Sequence, residues 1–184
     1  MDSEQQLIEA AKSDKTEFVK LYDKYFDQIY KYMLTRVADV QLAEDLTSQT
    51  FLIALEKIDG YKWTGKPFSA WLYRVAINEM NQHYRKAKKN REVAMREWQE
   101  AGEKFDPADT NLKESENREE ETANLRVLNQ AIQKLKPGDQ DILSLKFFEN
   151  LSYKEIAGTL GISVSNVGVK LNRATDRLAK ICNI

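Results

Sequence analysis

The sequence predicts an all-α protein of two small helical domains joined by an acidic linker. Apolar residues recur at three- and four-residue spacing along most of the chain, and no segment shows the two-residue alternation of a strand. Charge changes sign in long blocks rather than being mixed throughout. Near the C-terminus, residues 151–170 have the form of two helices joined by a glycine-bearing turn, a helix-turn-helix.

The first domain, residues 1–96, reads as helices throughout. Phe18, Tyr22, Tyr25, Ile29 and Met33 form one apolar stripe, and Ala43, Leu46, Thr50, Ala54 and Ile58 form a second. Asp39 is placed to cap the second of these helices, and Asp59-Gly60 to stop it. After a loop at residues 61–66, Pro67 suits the first position of a new helix, because proline has no N–H to lose there. That helix carries Trp71, Leu72, Val75, Ala76 and Met80 and runs into the basic cluster Arg85-Lys-Ala-Lys-Lys-Asn-Arg91.

Residues 97–122 hold few apolar side chains and read as a flexible tether whose last turns can join the next helix. In the second domain, residues 123–184, helical spacing resumes at Leu125, Leu128, Ile132 and Leu135, and Lys136-Pro-Gly138 is expected to end that helix. A short helix from Asp139 to Phe148 leads into the helix-turn-helix. There Ser152 and Glu155 have the spacing of a capping box, Gly161 can take the left-handed turn, and Ser163 caps the second helix. Val167, Leu171, Ala174 and Leu178 point inward, leaving Ser165, Asn166, Lys170, Arg173 and Arg177 outside. Hydrogen-bonding side chains near a helix start, with cations further along, suit a major groove. Gly168 costs that helix roughly 0.5–1 kcal/mol relative to alanine, which a close approach to backbone or DNA would offset.

The net charge of −1 hides two basic blocks: residues 61–96 carry 9 basic and 2 acidic side chains, and residues 123–184 carry 9 and 5. Residues 1–60, with 7 and 12, and 97–122, with 3 and 10, are acidic. Two basic blocks around an acidic one suggest two nucleic-acid contacts on one chain. Trp63, Trp71, Tyr73 and Tyr84 lie within the first block, where aromatic rings beside cations can stack on unpaired bases worth about 1–3 kcal/mol each. Trp71 and Tyr73 are expected to be core residues; Trp63, in the loop, is the better stacking candidate.

No phosphate loop, nucleophile elbow or metal-ligand set is present, so neither an enzyme nor a cofactor is expected. The lone Cys182 precludes an internal disulfide, and the lone His83 reads as a packing or surface residue. A polar N-terminus and the lack of any run of about twenty apolar residues point to a cytoplasmic protein without membrane insertion.

Three pieces taken in order, residues 43–51 (AEDLTSQTF), residues 68–78 (FSAWLYRVAIN) and the helix-turn-helix, resemble the extracytoplasmic-function sigma factors of bacteria. The resemblance covers about residues 5–95 and 123–181. It implies a region 2 bundle of three or four helices and a four-helix region 4. It also implies a subunit that binds RNA polymerase core and directs it to minus-10 and minus-35 promoter elements. By that resemblance Asp45, Ser48, Gln49 and Phe51 face the clamp helices of the largest polymerase subunit, and the second domain meets the flap. The loop at 61–66, with Lys62 and Trp63, captures a base flipped from the melted minus-10 strand. Trp71, Arg74, Asn78, Gln82, Arg85, Lys86, Lys88 and Lys89 read or support that element. Ser163, Ser165, Asn166, Lys170, Arg173 and Arg177 enter the groove of the minus-35 element. An anti-sigma partner is implied as well. The chain departs from the family pattern at Ser48-Gln49, where Gln-Glu is usual, and at Asn166 and Gly168-Val169, where Thr and Lys-Ser are commoner.

A tether of this length spans roughly 30 Å as a free coil, whereas elements two duplex turns apart lie on the order of 70 Å from each other. Polymerase would have to stretch it. The competing reading is a helix-turn-helix regulator that binds duplex DNA without polymerase.

Overall fold

In the computed structural model, residues 3–100 and 130–182 are described, with side chains over 3–93 and 130–182. Among the described residues the structure is helical, with no strand. The first domain comprises α1 (Ser3–Ser13), α2 (Phe18–Val37), α3 (Val40–Lys57) and the long α4 (Phe68–Glu100). Its core is the two predicted stripes together with α4, except that Leu21 is buried in place of the exposed Tyr22: Phe18, Leu21, Tyr25, Ile29 and Met33 meet Ala43, Leu46, Ala54, Ile58, Phe68, Leu72, Ala76 and Met80. Asp39 caps α3 as expected, accepting the Leu42 N–H at 2.8 Å. α4 runs on through residues 97–100, the first of the expected linker, because no glycine or proline interrupts the chain between Arg91 and Glu100. The rest of the expected linker, and Leu125 and Leu128, lie outside the described residues.

Pro67 stands just ahead of α4 rather than inside it. The start of α4 is capped from across the domain. Glu4 of α1, buried, accepts the backbone N–H of Phe68 at 3.1 Å and the ammonium of Lys24 at 3.1 Å, and also the Tyr25 hydroxyl. The first N–H groups of a helix have no partner within it, so a buried carboxylate there satisfies an orphan donor and meets the positive end of the helix dipole.

In the second domain a helical turn at 130–133 is followed by α5 (Pro137–Leu143), a π-helical segment (Ser144–Phe148), α6 (Tyr153–Leu160) and α7 (Val164–Cys182). Pro137-Gly138 therefore opens a helix instead of closing the previous one; Pro137 occupies the first turn, where its missing N–H costs nothing. The short helix expected at 139–148 divides into α5 and the π segment. α6 carries both halves of the capping box: Ser152 Oγ accepts the Glu155 N–H at 3.3 Å, and Glu155 accepts the Ser152 N–H at 2.7 Å. Gly161 ends α6 at φ 67°, a left-handed conformation in which a Cβ is strained. Ser152→Ala is expected to cost the second domain about 1 kcal/mol, read as a lower urea midpoint with an unchanged slope.

The two domains are docked, and one hydrophobic cluster contains residues of both. α5 lies against α2: the guanidinium of Arg36 donates to Asp141 Oδ1 from Nε at 3.0 Å and from Nη2 at 2.9 Å, and also to the Gln140 side-chain oxygen. All three residues are buried. Tyr32, wholly buried, donates to the same Asp141 oxygen at 3.0 Å and meets the ring of Tyr73 edge-on at 5.2 Å. Tyr73 donates to Glu149, which also accepts from Gln28 at 3.4 Å. α6 lies on the first turns of α4, where Thr159 Oγ1 donates to the Ala70 carbonyl at 3.2 Å. Tyr73 is therefore a core residue, as expected, and it belongs to the seam between the domains.

Candidate nucleic-acid interface

The loop after Gly60 is held by aromatic packing. Tyr61 leans edge-on against the buried Phe68 at 5.2 Å and against Trp71 at 5.0 Å, and Phe68 and Trp71 are 5.2 Å apart. Burial, with the nearby charge of Glu4, pushes the Tyr61 hydroxyl up to about 12, so it stays a protonated donor at any physiological pH. Trp71 is only half-buried: one side rests on this cluster, and its edge lines an open cleft with Gly60, Lys62, Thr64, Lys66, Pro67, Ala70, Arg74 and Gly158. Its expected core role is thus partial. Trp63, on the loop, is half-buried, and Lys62 is exposed.

Arg74, Asn78, Gln82 and Arg85 recur at three- and four-residue spacing on α4, all exposed, so they form one hydrophilic stripe running away from the loop. Lys86, Lys88 and Lys89 widen it at its far end, with Lys88 at 3.8 Å from Glu92. Aromatic rings at one end of a cationic stripe can stack bases and track a phosphate backbone.

On α7 the expected outer face is exposed in full: Ser163, Ser165, Asn166, Lys170, Arg173 and Arg177. Ser163 Oγ accepts the Asn166 N–H at 3.2 Å, which fixes the first turn. Arg177 differs from the others, being paired with Asp139 of α5 at 2.5 Å; it braces α7 and would have to leave that partner to reach a phosphate. Within the chain, the close neighbour at Gly168 is the Tyr153 ring, 3.7 Å from where a Cβ would stand, rather than another backbone.

On α3, Asp45, Ser48 and Gln49 share one exposed face, whereas Phe51 is buried at 3% exposure against Tyr22 and Phe26. Phe51 can serve that face only from beneath. The apolar side chain that the face does present is Leu52, 55% exposed and seven positions from Asp45, a helical spacing that is the signal for it in the sequence.

Two family models match the chain, Sigma-70 region 2 over residues 21–90 and Sigma-70 region 4 over residues 125–178. The ECF RNA polymerase sigma factor BldN of Streptomyces coelicolor is 33% identical over 178 residues, covering 96% of this chain but only 64% of BldN, so the chain spans less than two thirds of that relative. SigW of Bacillus subtilis, also an ECF RNA polymerase sigma factor, is 32% identical over 173 residues, with 92% of this chain and 90% of SigW covered. In fold the chain is similar to CnrH, solved in complex with the cytosolic domain of CnrY, with a TM-score of 0.70 at 20% identity over 99% and 98% of the two chains. It is likewise similar to the sigma factor RpoE of Bartonella quintana, solved with the anti-sigma factor NepR, with a TM-score of 0.68 at 20% identity over 91% and 98%.

Proposed function

The chain belongs to the extracytoplasmic-function RNA polymerase sigma factors, and from that premise we propose that it binds polymerase core, recognises promoters through its two domains and supports strand opening. One observation carries the reading beyond family membership: the exposed stripe of α4 begins at an aromatic cleft, which suits an unpaired strand rather than a closed duplex. Opening a duplex by binding energy alone requires such a preference for the unpaired state.

In this reading residues 1–96 engage core and the minus-10 element, residues 123–184 engage the minus-35 element, and residues 97–122 connect them. Trp63 and Trp71 stack on bases, with Lys62 beside them. Arg74, Asn78, Gln82, Arg85, Lys86, Lys88 and Lys89 follow the strand. Asp45, Ser48, Gln49 and Leu52 meet the polymerase clamp. Ser163, Ser165, Asn166, Lys170 and Arg173 meet the duplex, with Arg177 as their brace. The protein acts by binding rather than by covalent chemistry. No described helix is long and apolar enough to cross a membrane, and a cytoplasmic location follows from the proposed role. An anti-sigma partner belongs to the proposal because the family works with such inhibitors.

Run-off transcription with core polymerase tests the whole reading. Promoter-specific transcripts are expected only when this protein is added. Tight binding to duplex DNA by the protein alone, with no effect on core, would establish the regulator reading instead. Within the second domain, Lys170→Ala is expected to weaken duplex binding alike for all sequences and to reduce the salt slope by about 0.9, as loss of one phosphate contact requires. A mobility-shift series across salt concentrations measures it.

A further inference from the structure

The docked arrangement sets α6 against the cleft of the 61–67 loop. Gly158 forms part of the cleft wall, and the Lys66 ammonium lies 2.8 Å from where a Cβ on Gly158 would stand. Thr159 is bonded to the Ala70 carbonyl one residue before Trp71, so α6 rests on the same first turns of α4 that carry Trp71 and Arg74. A captured base needs its neighbours to enter and leave along the strand. With α6 in place, Lys66 is turned onto that helix and one side of the cleft is closed. α6 is held there by its own contact with Ala70, and the rest of the seam is held by Arg36 with Asp141 and by Tyr73 with Glu149, so the seam can be loosened at the cleft or away from it.

We propose that an unpaired DNA strand and the second domain compete for this cleft, so that strand capture displaces α6 and releases the second domain from the first. The inference rests on the strand-binding role proposed above for the loop and α4. Its thermodynamic content is reciprocal: the closed state weakens strand binding by the fraction of molecules that are open, and the strand weakens docking by the same factor. Single-stranded DNA is then more than a substrate of opening; it is a ligand that shifts the chain from the docked to the open state.

The test uses the full chain with dyes on cysteines at Asp23 and Lys180, Cys182 being replaced by serine, and a mixed-sequence single-stranded DNA as probe. Energy transfer is expected to fall as the probe binds. Asp141→Arg places like charges together in the buried seam, and Gly158→Lys places one beside Lys66. Neither residue is needed inside its own domain, and Gly158→Lys favours its helix. Both variants are expected to start with low energy transfer and to bind the probe about tenfold more tightly, as release of a domain closed about nine-tenths of the time would give. Arg36→Asp combined with Asp141→Arg restores the pair and should restore closure and weak binding. Equal affinity in all variants, with energy transfer unchanged by bound probe, overturns the competition while leaving the strand-binding role intact. If no variant binds the probe, including the opened ones, the strand-binding role itself fails.

Discussion

Phe68→Ala is expected to lower the stability of the first domain by about 3–5 kcal/mol, the usual loss when a buried aromatic ring is truncated. Phe68 is wholly buried, with ring centroids 5.9 Å from Tyr25, 5.2 Å from Tyr61 and 5.2 Å from Trp71. The cavity would not stay local. Tyr61 and Trp71 rest on this ring from the cleft side, so its loss removes the floor that fixes the loop, and binding of single-stranded DNA should fall even where the domain remains folded. Met33→Ala, also wholly buried, serves as the control. It is expected to cost about 2–5 kcal/mol without loosening the loop. Urea melts give the two stabilities, and fluorescence titration with single-stranded DNA gives the binding. A Phe68→Ala protein less than about 1 kcal/mol destabilised, or no poorer a strand binder than Met33→Ala, would refute the placement of Phe68 beneath the site.

Much of this architecture is legible in the sequence because it is local. The capping box of Ser152 and Glu155, the left-handed Gly161, and the caps Ser163 and Asp39 each involve residues within a turn of one another, so spacing alone specifies them. The inward stripe of α7 and the outward one of α4 follow from helical period in the same way. What the sequence conceals is contact between distant residues. Glu4 reads as one acid in a polar N-terminus, yet it caps a helix sixty-four positions away. Arg36 reads as a cation at a helix C-terminus, and Asp141 as a surface acid on a short helix; nothing in either neighbourhood announces that they are buried together across a domain seam. The same holds for Tyr73 and Glu149. Phe51 shows the opposite error. Resemblance assigned it to a surface, while its place in the aromatic packing with Tyr22 and Phe26 puts it underneath, and Leu52 takes the exposed position.

The second large effect concerns that seam. Removing one partner of a buried ion pair costs about 3–5 kcal/mol, because the other charge is left without compensation. In Arg36→Ala the cost is limited by the free energy of docking itself, since the domains can part and let water reach Asp141. A loss of about 3 kcal/mol is still more than a hundredfold in the docking equilibrium, so the variant should be open at neutral pH, seen as a larger radius of gyration or lower energy transfer. Its response to acid follows from the charge on Asp141. Burial raises the docked Asp141 carboxyl above its usual 3.8, and Arg36 partly offsets that rise. Without Arg36 the offset is gone and the docked value climbs further, while the open, hydrated carboxyl returns toward 3.8. The docked form therefore holds a proton at pH values where the open form has lost it. Docking strengthens as pH falls from the raised value toward 3.8 and is weakest above the raised value. Arg36→Ala should accordingly reclose on acidification. Arg36→Ala combined with Asp141→Asn, which has no proton to take up at that position, should hold one interdomain distance across the same range. An Arg36→Ala protein that stays closed at neutral pH, or one whose opening is indifferent to pH while the double variant behaves identically, would show that the pair does not hold the domains together.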